Sequence, residues 1–268
     1  MRLFKAHGLG NDYLVVVDGP PLTPAQVVAI CDRHRGVGSD GILEPMATRR
    51  ADHGVRIWNP DGSVAEKSGN GLRIFAYHTA YAGGPHTGPA AFTVDTGHDV
   101  VGCEVQGTHV EIEMGQATVT PLSGVVVGGA ALEVTAVRIG NPHAVIWTAA
   151  ADLDALPWRA WGAALEHDLA RFPDRTNVQL ARVAGGACEA RIWERGAGET
   201  LASGSSACAV AAVAVQRGVV PAGVPVAVHM PGGTLQVTVR PEGGVRLAGP
   251  VAPVATVELH DAWLAEVF

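Results

Sequence analysis

The chain predicts an α/β (α+β) fold built from two similar halves, and three observations carry that prediction. Short alternating apolar segments outnumber helical ones along its 268 residues. The length suits two domains of roughly 130 residues each. Ser68 and Ser203, 135 positions apart, each open a glycine-led helix start, Ser-Gly-Asn-Gly-Leu-Arg-Ile-Phe-Ala and Ser-Gly-Ser-Ser-Ala-Cys-Ala-Val-Ala. The correspondence continues upstream: nine residues before Ser68 stands Asn59 of Trp-Asn-Pro-Asp-Gly, and nine before Ser203 stands Glu194 of Trp-Glu-Arg-Gly. Gly8-Leu9-Gly10-Asn11-Asp12 has a partner in Arg138-Ile139-Gly140-Asn141-Pro142, 130 positions on. One element with its approach strand is used twice, so a ligand gripped from both sides is expected.

Residues 13–18 read as a strand and 23–33 as a helix, with Thr23 as N-cap and Pro24 in the first turn. Residues 41–44 and 55–58 are short strands. After Ser68, Leu72, Phe75, Ala76 and Thr79 recur at three and four residues, marking a helix closed by Gly83-Gly84. Residues 91–95, 100–105 and 109–114 alternate as strands, and the half ends near Thr118. The segment 121–124, Pro-Leu-Ser-Gly, is expected as the link. In the second half, 134–139 and 143–147 are strands, 153–167 a helix, and 187–193 a strand. A helix over 204–217, stopped by Gly218, carries Ala, Cys and Val, a small-residue composition that suits enclosure by strands. Strands at 225–229, 235–239 and 245–248 complete the half. The domains are placed at 1–119, joined by a tail of about 258–268, and at 120–257.

With 47% hydrophobic and 17% charged residues, the chain can bury a sizeable core. The net charge of −7 and the absence of a Lys/Arg stripe argue against nucleic acid as partner. Cys31, Cys103, Cys188 and Cys208 lack CxxC spacing and read as reduced thiols of a cytoplasmic protein. The first residues are strand-like and motif-bearing rather than a basic then apolar leader, so no secretory signal is expected. Apolar runs fall short of the roughly 20 residues a bilayer crossing needs. No metal site is expected.

Helix starts leave backbone N–H groups without intrahelical acceptors, and they attract carboxylates and phosphates. A single serine there is ordinarily just an N-cap. A matched pair with matched upstream polar residues points instead to a duplicated ligand site.

Nine segments resemble the diaminopimelate epimerase family, in order and over nearly the whole chain. They are Phe4-Lys-Ala-His-Gly-Leu-Gly-Asn-Asp12, Arg35-Gly-Val-Gly-Ser-Asp40, Asn59-Pro-Asp-Gly-Ser63, Gly69-Asn-Gly71, Gly140-Asn-Pro-His143, Phe172-Pro-Asp-Arg-Thr-Asn-Val178, Trp193-Glu-Arg-Gly-Ala-Gly-Glu-Thr200, Pro231-Gly-Gly-Thr-Leu235 and Leu247-Ala-Gly-Pro250. The resemblance implies two pseudo-symmetric domains, each a curved, mostly antiparallel sheet wrapped around a central helix, with the ligand in the cleft between them. It implies interconversion of LL- and meso-diaminopimelate in lysine biosynthesis, independent of pyridoxal phosphate or any other cofactor, by a homodimer. One group removes the α-proton and another returns a proton to the opposite face. The implied ligand shell is Asn11, Asn59, Asn141, Asn177, Glu194 and Arg195, with Gly69, Asn70, Gly204 and Ser205 aiming backbone N–H groups at the α-carboxylate. His143 and Glu194 are the implied tuning residues, and position 41, glycine here, can be glycine or glutamine in such proteins.

The family's two catalytic cysteines fall at Ser68 and Ser203. A thiol titrates near pH 8.5, lower at a helix N-terminus. A serine hydroxyl is a far weaker acid and needs a partner base. Glu66 and Lys67 do not face Ser68 as adjacent residues, and Lys67 is expected as a solvated surface side chain. Three readings follow: an epimerase with impaired turnover, a divergent isomerase or dehydratase of the same fold acting on another amino acid, and a non-catalytic amino-acid-binding protein.

Overall fold

A tight glycine turn follows the first strand of the chain. In the computed structural model, which describes residues 1–84 and 86–267, β1 (Arg2–Gly8) and β2 (Asn11–Asp18) form an antiparallel hairpin. Leu9 and Gly10 turn it, at φ 56° and 92°. Two left-handed residues are what a two-residue hairpin requires, and a leucine among them is strained. Helix α1 (Pro24–Cys31) carries the capping box the sequence suggests: the Thr23 N–H donates to Gln26 Oε1 at 2.8 Å, and Thr23 Oγ1 accepts from the Gln26 N–H. It ends two residues short of the expected Arg33, because the Asp32 carboxylate accepts the N–H groups of His34 and Arg35 and turns the chain.

Then follow β3 (Ile42–Met46), β4 (His53–Trp58), β5 (Val64–Ala65) and α2 (Gly69–Tyr77). A wider turn over His78–Ala82 extends α2 to Gly83, whose φ of 135° ends it. Strands β6 (Ala90–Asp95), β7 (Val100–Gln106) and β8 (His109–Gln116) complete the series. The second series runs β9 (Thr118–Val127), β10 (Ala130–Ile139), β11 (Asn141–Trp147), α3 (Trp158–Glu166), β12 (Asn177–Ala184), β13 (Ala187–Glu194), β14 (Gly198–Thr200), α4 (Gly204–Gln216), β15 (Val226–Met230), β16 (Gly233–Val239) and β17 (Gly244–Pro250). The chain closes with β18 (Ala252–Glu258) and α5 (Asp261–Val267).

The pairing pattern is duplicated strand for strand. β1 with β2 is antiparallel, β2 with β3 parallel, β3 with β4 and β4 with β5 antiparallel, β4 with β6 parallel, β6 with β7 and β7 with β8 antiparallel. From β10 to β17 the senses recur in that order. β18 lies antiparallel beside β1 as β9 lies beside β10. The contacts divide the chain into two units, Met1–Ile112 with Gly249–Phe268, and Glu113–Ala248.

In the first unit α2 packs against β1, β2 and β7. Leu3, Leu14, Val27, Ile30 and Ile42 form a further apolar cluster around α1. In the second, α4 packs against strands β9 to β13, β15 and β16. Its residues 206–214 are buried throughout. Alanine, cysteine and valine let strands approach on every side, and each fully buried valine contributes about 1.5–3 kcal/mol. The mixed sheet-and-helix architecture anticipated above is thus observed, with each series closing on one small-residue or glycine-led helix.

Three local expectations are corrected. Residues 121–124 are not a link but lie within β9, where Pro121 stands opposite Thr135 and the register shifts by one residue between Leu132 and Val134. The helix expected over 153–167 begins only at Trp158, because Pro157 lacks an N–H to continue a turn behind it. Lys67 is not solvated: its side chain is 10% exposed and pairs with Asp99 at 3.0 Å. All four cysteines are buried, and burial pushes Cys103 up to about 12 and Cys188 up to about 11. Among the described residues, no helix is long and apolar enough to cross a membrane.

Candidate functional site

Both serines sit in extended backbone immediately before a helix, Ser68 at φ −135°, ψ 118° and Ser203 at φ −140°, ψ 127°. Their side chains differ. Ser68 Oγ accepts the Gly71 N–H at 3.1 Å, a side-chain cap, and lies 3.0 Å from the Tyr13 phenol oxygen. Ser203 is buried at 5% exposure, and its hydroxyl makes no cap bond.

Around Ser68, the polar residues of the first unit form one continuous network. Asn70 Nδ2 donates to Asn11 Oδ1 at 3.0 Å, while Asn11 Nδ2 donates to Asp40 at 2.9 Å. The fully buried Arg73 donates to Asn70 Oδ1 at 2.9 Å and to the Gly69 carbonyl at 3.3 Å. Its guanidinium lies so close to β1 that a Cβ on Gly8 would meet it at 2.8 Å. Arg33 bridges Asp12 and Asp40 at 2.6 and 2.7 Å, and Lys5 pairs with Asp12 at 3.0 Å. Burial works to raise the Asp12 carboxyl, but the Arg33 and Lys5 hydrogen bonds outweigh it and hold it below the usual carboxylate range. Asn11 and Asn70 are therefore brought together and held by these bonds. Asn59 instead donates within its own turn, to Ser63 Oγ at 2.9 Å.

Around Ser203 the second unit builds a different network on the same plan. His143 Nε2 meets Asn141 Oδ1 at 2.8 Å, and Gln179 Nε2 meets His143 Nδ1 at 3.1 Å and Ser206 Oγ at 2.9 Å. An amide nitrogen only donates, so Nδ1 accepts and the proton sits on Nε2, facing Asn141. Complete burial pushes His143 down to about 3, so the ring is neutral at pH 7. Asn177 donates to the Pro142 carbonyl at 3.0 Å and accepts the Arg195 N–H at 3.0 Å. Arg195 anchors its guanidinium on the Asp174 carbonyl at 2.8 Å, and Glu194 accepts from Thr200 Oγ1 at 2.7 Å. The loop carrying Glu194 and Arg195 is held from below by Glu166, which accepts from Trp193 Nε1 at 2.8 Å, from the Gly196 N–H at 2.7 Å and from Arg175.

Tyr13, Arg73, Gln179, Ser206 and Glu166 carry these networks and were not singled out from the sequence. The duplicated strands supply the missing signal. Asn11 and Asn141 each begin the second strand of a matching hairpin, so Tyr13 and His143, two residues on, occupy equivalent places. Gly41 likewise precedes β3 as Asn177 begins β12.

The buried His143 has a measurable consequence for stability. Its folded pKa lies below the unfolded one, so the unfolded chain binds the extra proton as pH falls from about 6.5 towards about 3. The stability it contributes is complete above pH 6.5 and is lost below it, by up to roughly 1.4 kcal/mol per pH unit. Thermal melts between pH 7.5 and 5 are expected to show a shallower loss of Tm in His143→Asn than in the unaltered chain. An unchanged slope would contradict a neutral buried ring.

The family model described as Diaminopimelate epimerase matches residues 3–120 and 135–253. The chain is 38% identical over 279 residues to Diaminopimelate epimerase 2 of Nostoc sp., covering 97% of this chain and 95% of that protein. It is also 38% identical over 292 residues to Diaminopimelate epimerase of Streptomyces coelicolor, covering 100% and 98%. Among solved structures it resembles a hydroxyproline epimerase from Agrobacterium vitis with bound trans-4-hydroxy-L-proline, at a TM-score of 0.75, 16% identity and 100% and 98% coverage. A phenazine biosynthesis protein from Bacillus anthracis matches at 0.77, 15% identity and 97% and 99% coverage. At those identities the two structures speak for the fold alone.

Proposed function

The chain belongs to the diaminopimelate epimerase family, and from that premise we propose that it inverts Cα of diaminopimelate, between the LL and meso forms, in lysine biosynthesis. Inversion needs a base on one face of Cα and an acid on the other. The two matched helix starts supply one hydroxyl each, Ser68 and Ser203, at the places of the family's cysteines. On this reading the N–H groups of Gly69, Asn70, Gly204 and Ser205 hold the α-carboxylate, with a helix dipole behind them. Arg195 pairs with a carboxylate, and Glu194, Asn11, Asn59, Asn141 and Asn177 receive ammonium and amide-reaching groups. His143, neutral and hydrogen-bonded at both nitrogens, orients Asn141. A cytoplasmic homodimer goes with the same reading.

One observation carries it: the strand-for-strand duplication sets an extended serine before each helix and braces an asparagine in each unit, Asn70 through Arg73 and Asn177 through the Pro142 carbonyl. A second reading, an amino-acid-binding protein without turnover, draws on the weak acidity of a serine hydroxyl. Titration calorimetry with LL- and meso-diaminopimelate beside lysine tests the ligand. Both isomers are expected to bind; failure of both would remove the proposal.

A further inference from the structure

We propose that Tyr13 is the proton partner of Ser68, a phenol that relays protons through the serine hydroxyl to and from Cα; this rests on the function proposed above. The geometry is local to the first unit. Tyr13 lies two residues into β2, buried, with its phenol oxygen 3.0 Å from Ser68 Oγ. Ser68 Oγ also accepts the Gly71 N–H at 3.1 Å. Of the two hydroxyls the phenol is the stronger acid, so it donates to Ser68. With both lone pairs of Oγ used by Tyr13 and Gly71, the serine's own hydrogen is directed away from them and is available to a ligand.

The pair depends on the absence of a side chain at position 41. A Cβ on Gly41 would lie 2.6 Å from the Tyr13 ring and 2.4 Å from the Trp58 carbonyl oxygen. Residue 41 must therefore be glycine for the ring to reach Ser68. The position is also where the duplicated fold puts a titratable ring in the other unit, since Tyr13 and His143 are equivalent along their hairpins.

The relay answers the difficulty a serine presents. A serine that gives up its proton alone leaves an alkoxide, a far stronger base than a phenolate and correspondingly harder to form. Passing the charge on leaves a phenolate, whose acid titrates near 10. In the donating direction the Ser68 O–H bond breaks as the new Cα–H bond forms from the carbanion's electron pair. The Tyr13 O–H bond breaks in the same step and restores the Ser68 hydroxyl, so the negative charge ends on the phenolate. In the accepting direction the phenolate takes the Ser68 proton while Ser68 takes the α-proton, and the electron pair stays on Cα. Exchange with water resets the pair between turnovers.

The test follows Cα–H exchange of diaminopimelate in deuterated water, with protein in excess, in the unaltered chain, Tyr13→Phe, Ser68→Ala and the double variant, with binding measured in parallel by calorimetry. Tyr13→Phe is expected to bind within about twofold of the unaltered chain and to exchange at least about 100-fold more slowly. The unaltered rate is expected to rise with pH between 7 and 9, because the phenolate is the accepting form of the relay, and the rate of Tyr13→Phe to stay flat. The double variant is expected to match Ser68→Ala, because the two hydroxyls act as one unit. Exchange that survives in Tyr13→Phe with its pH slope intact overturns the relay, as does bound ligand that exchanges in no variant. Absence of binding in the unaltered chain removes the proposed function, and the relay with it.

Discussion

Ser68→Cys/Ser203→Cys is expected to exchange the α-proton of diaminopimelate at least about 10³-fold faster than the unaltered chain at pH 8. The thiol titrates near 8.5 in water and lower at a helix N-terminus, so a sizeable fraction is thiolate at that pH. A serine hydroxyl offers almost none, and each factor of ten in rate corresponds to about 1.4 kcal/mol of barrier. Both positions already have extended backbone and a helix behind them, so the exchange of oxygen for sulfur alters acid strength more than placement. Proton NMR of the α-hydrogen in deuterated water reads the rate. A rise below about tenfold would mean that the hydroxyls are not standing where the proton is moved. In the double-cysteine chain, Tyr13→Phe should also lose most of its effect, because a thiolate needs no relay.

Arg73→Met is expected to cost about 2–4 kcal/mol of stability, a fall in Tm of roughly 5–15 °C for a chain of this size. Methionine fills much of the arginine stem but offers no donor. Asn70 Oδ1 and the Gly69 carbonyl would each lose a hydrogen bond from Arg73 in the interior of the first unit. Asn70 would then be free to turn away from Asn11, so affinity for diaminopimelate should fall with stability. Scanning calorimetry beside a ligand titration separates the two effects. A Tm within about 2 °C of the unaltered chain would show that the buried guanidinium is not what braces α2.

The sequence legibly marks features that depend on local chemistry. Ser68, Ser203 and the glycines behind them mark helix starts because only small and capping residues suit extended backbone running into a first turn. Thr23 with Gln26 marks α1 through its capping box. The repeated spacing of Asn11 with Asn141 and of Ser68 with Ser203 reflects a duplication that the strand pairings display in full. What spacing could not supply were partners delivered by register. Gln179 reaches His143 because β11 and β12 run parallel with His143 opposite Asn177, and Tyr13 reaches Ser68 across 55 positions of sequence. Residues 121–124 read as a link because proline and glycine dominate them. Proline is tolerated there since β9 is largely exposed and its shift in register takes up the extra residue. Lys67 read as a surface lysine because nothing in its neighbourhood announces Asp99, 32 positions away.

The binding of diaminopimelate itself tests the account most directly. Titration calorimetry of the unaltered chain at pH 8 is expected to show both LL- and meso-diaminopimelate binding. Lysine, which lacks the second carboxylate, should bind at least roughly tenfold more weakly for want of charge-assisted hydrogen bonds worth about 1.5–3 kcal/mol. Lysine binding as tightly as diaminopimelate, or no heat with either isomer, would contradict a site built for a ligand with an amino-acid centre at each end.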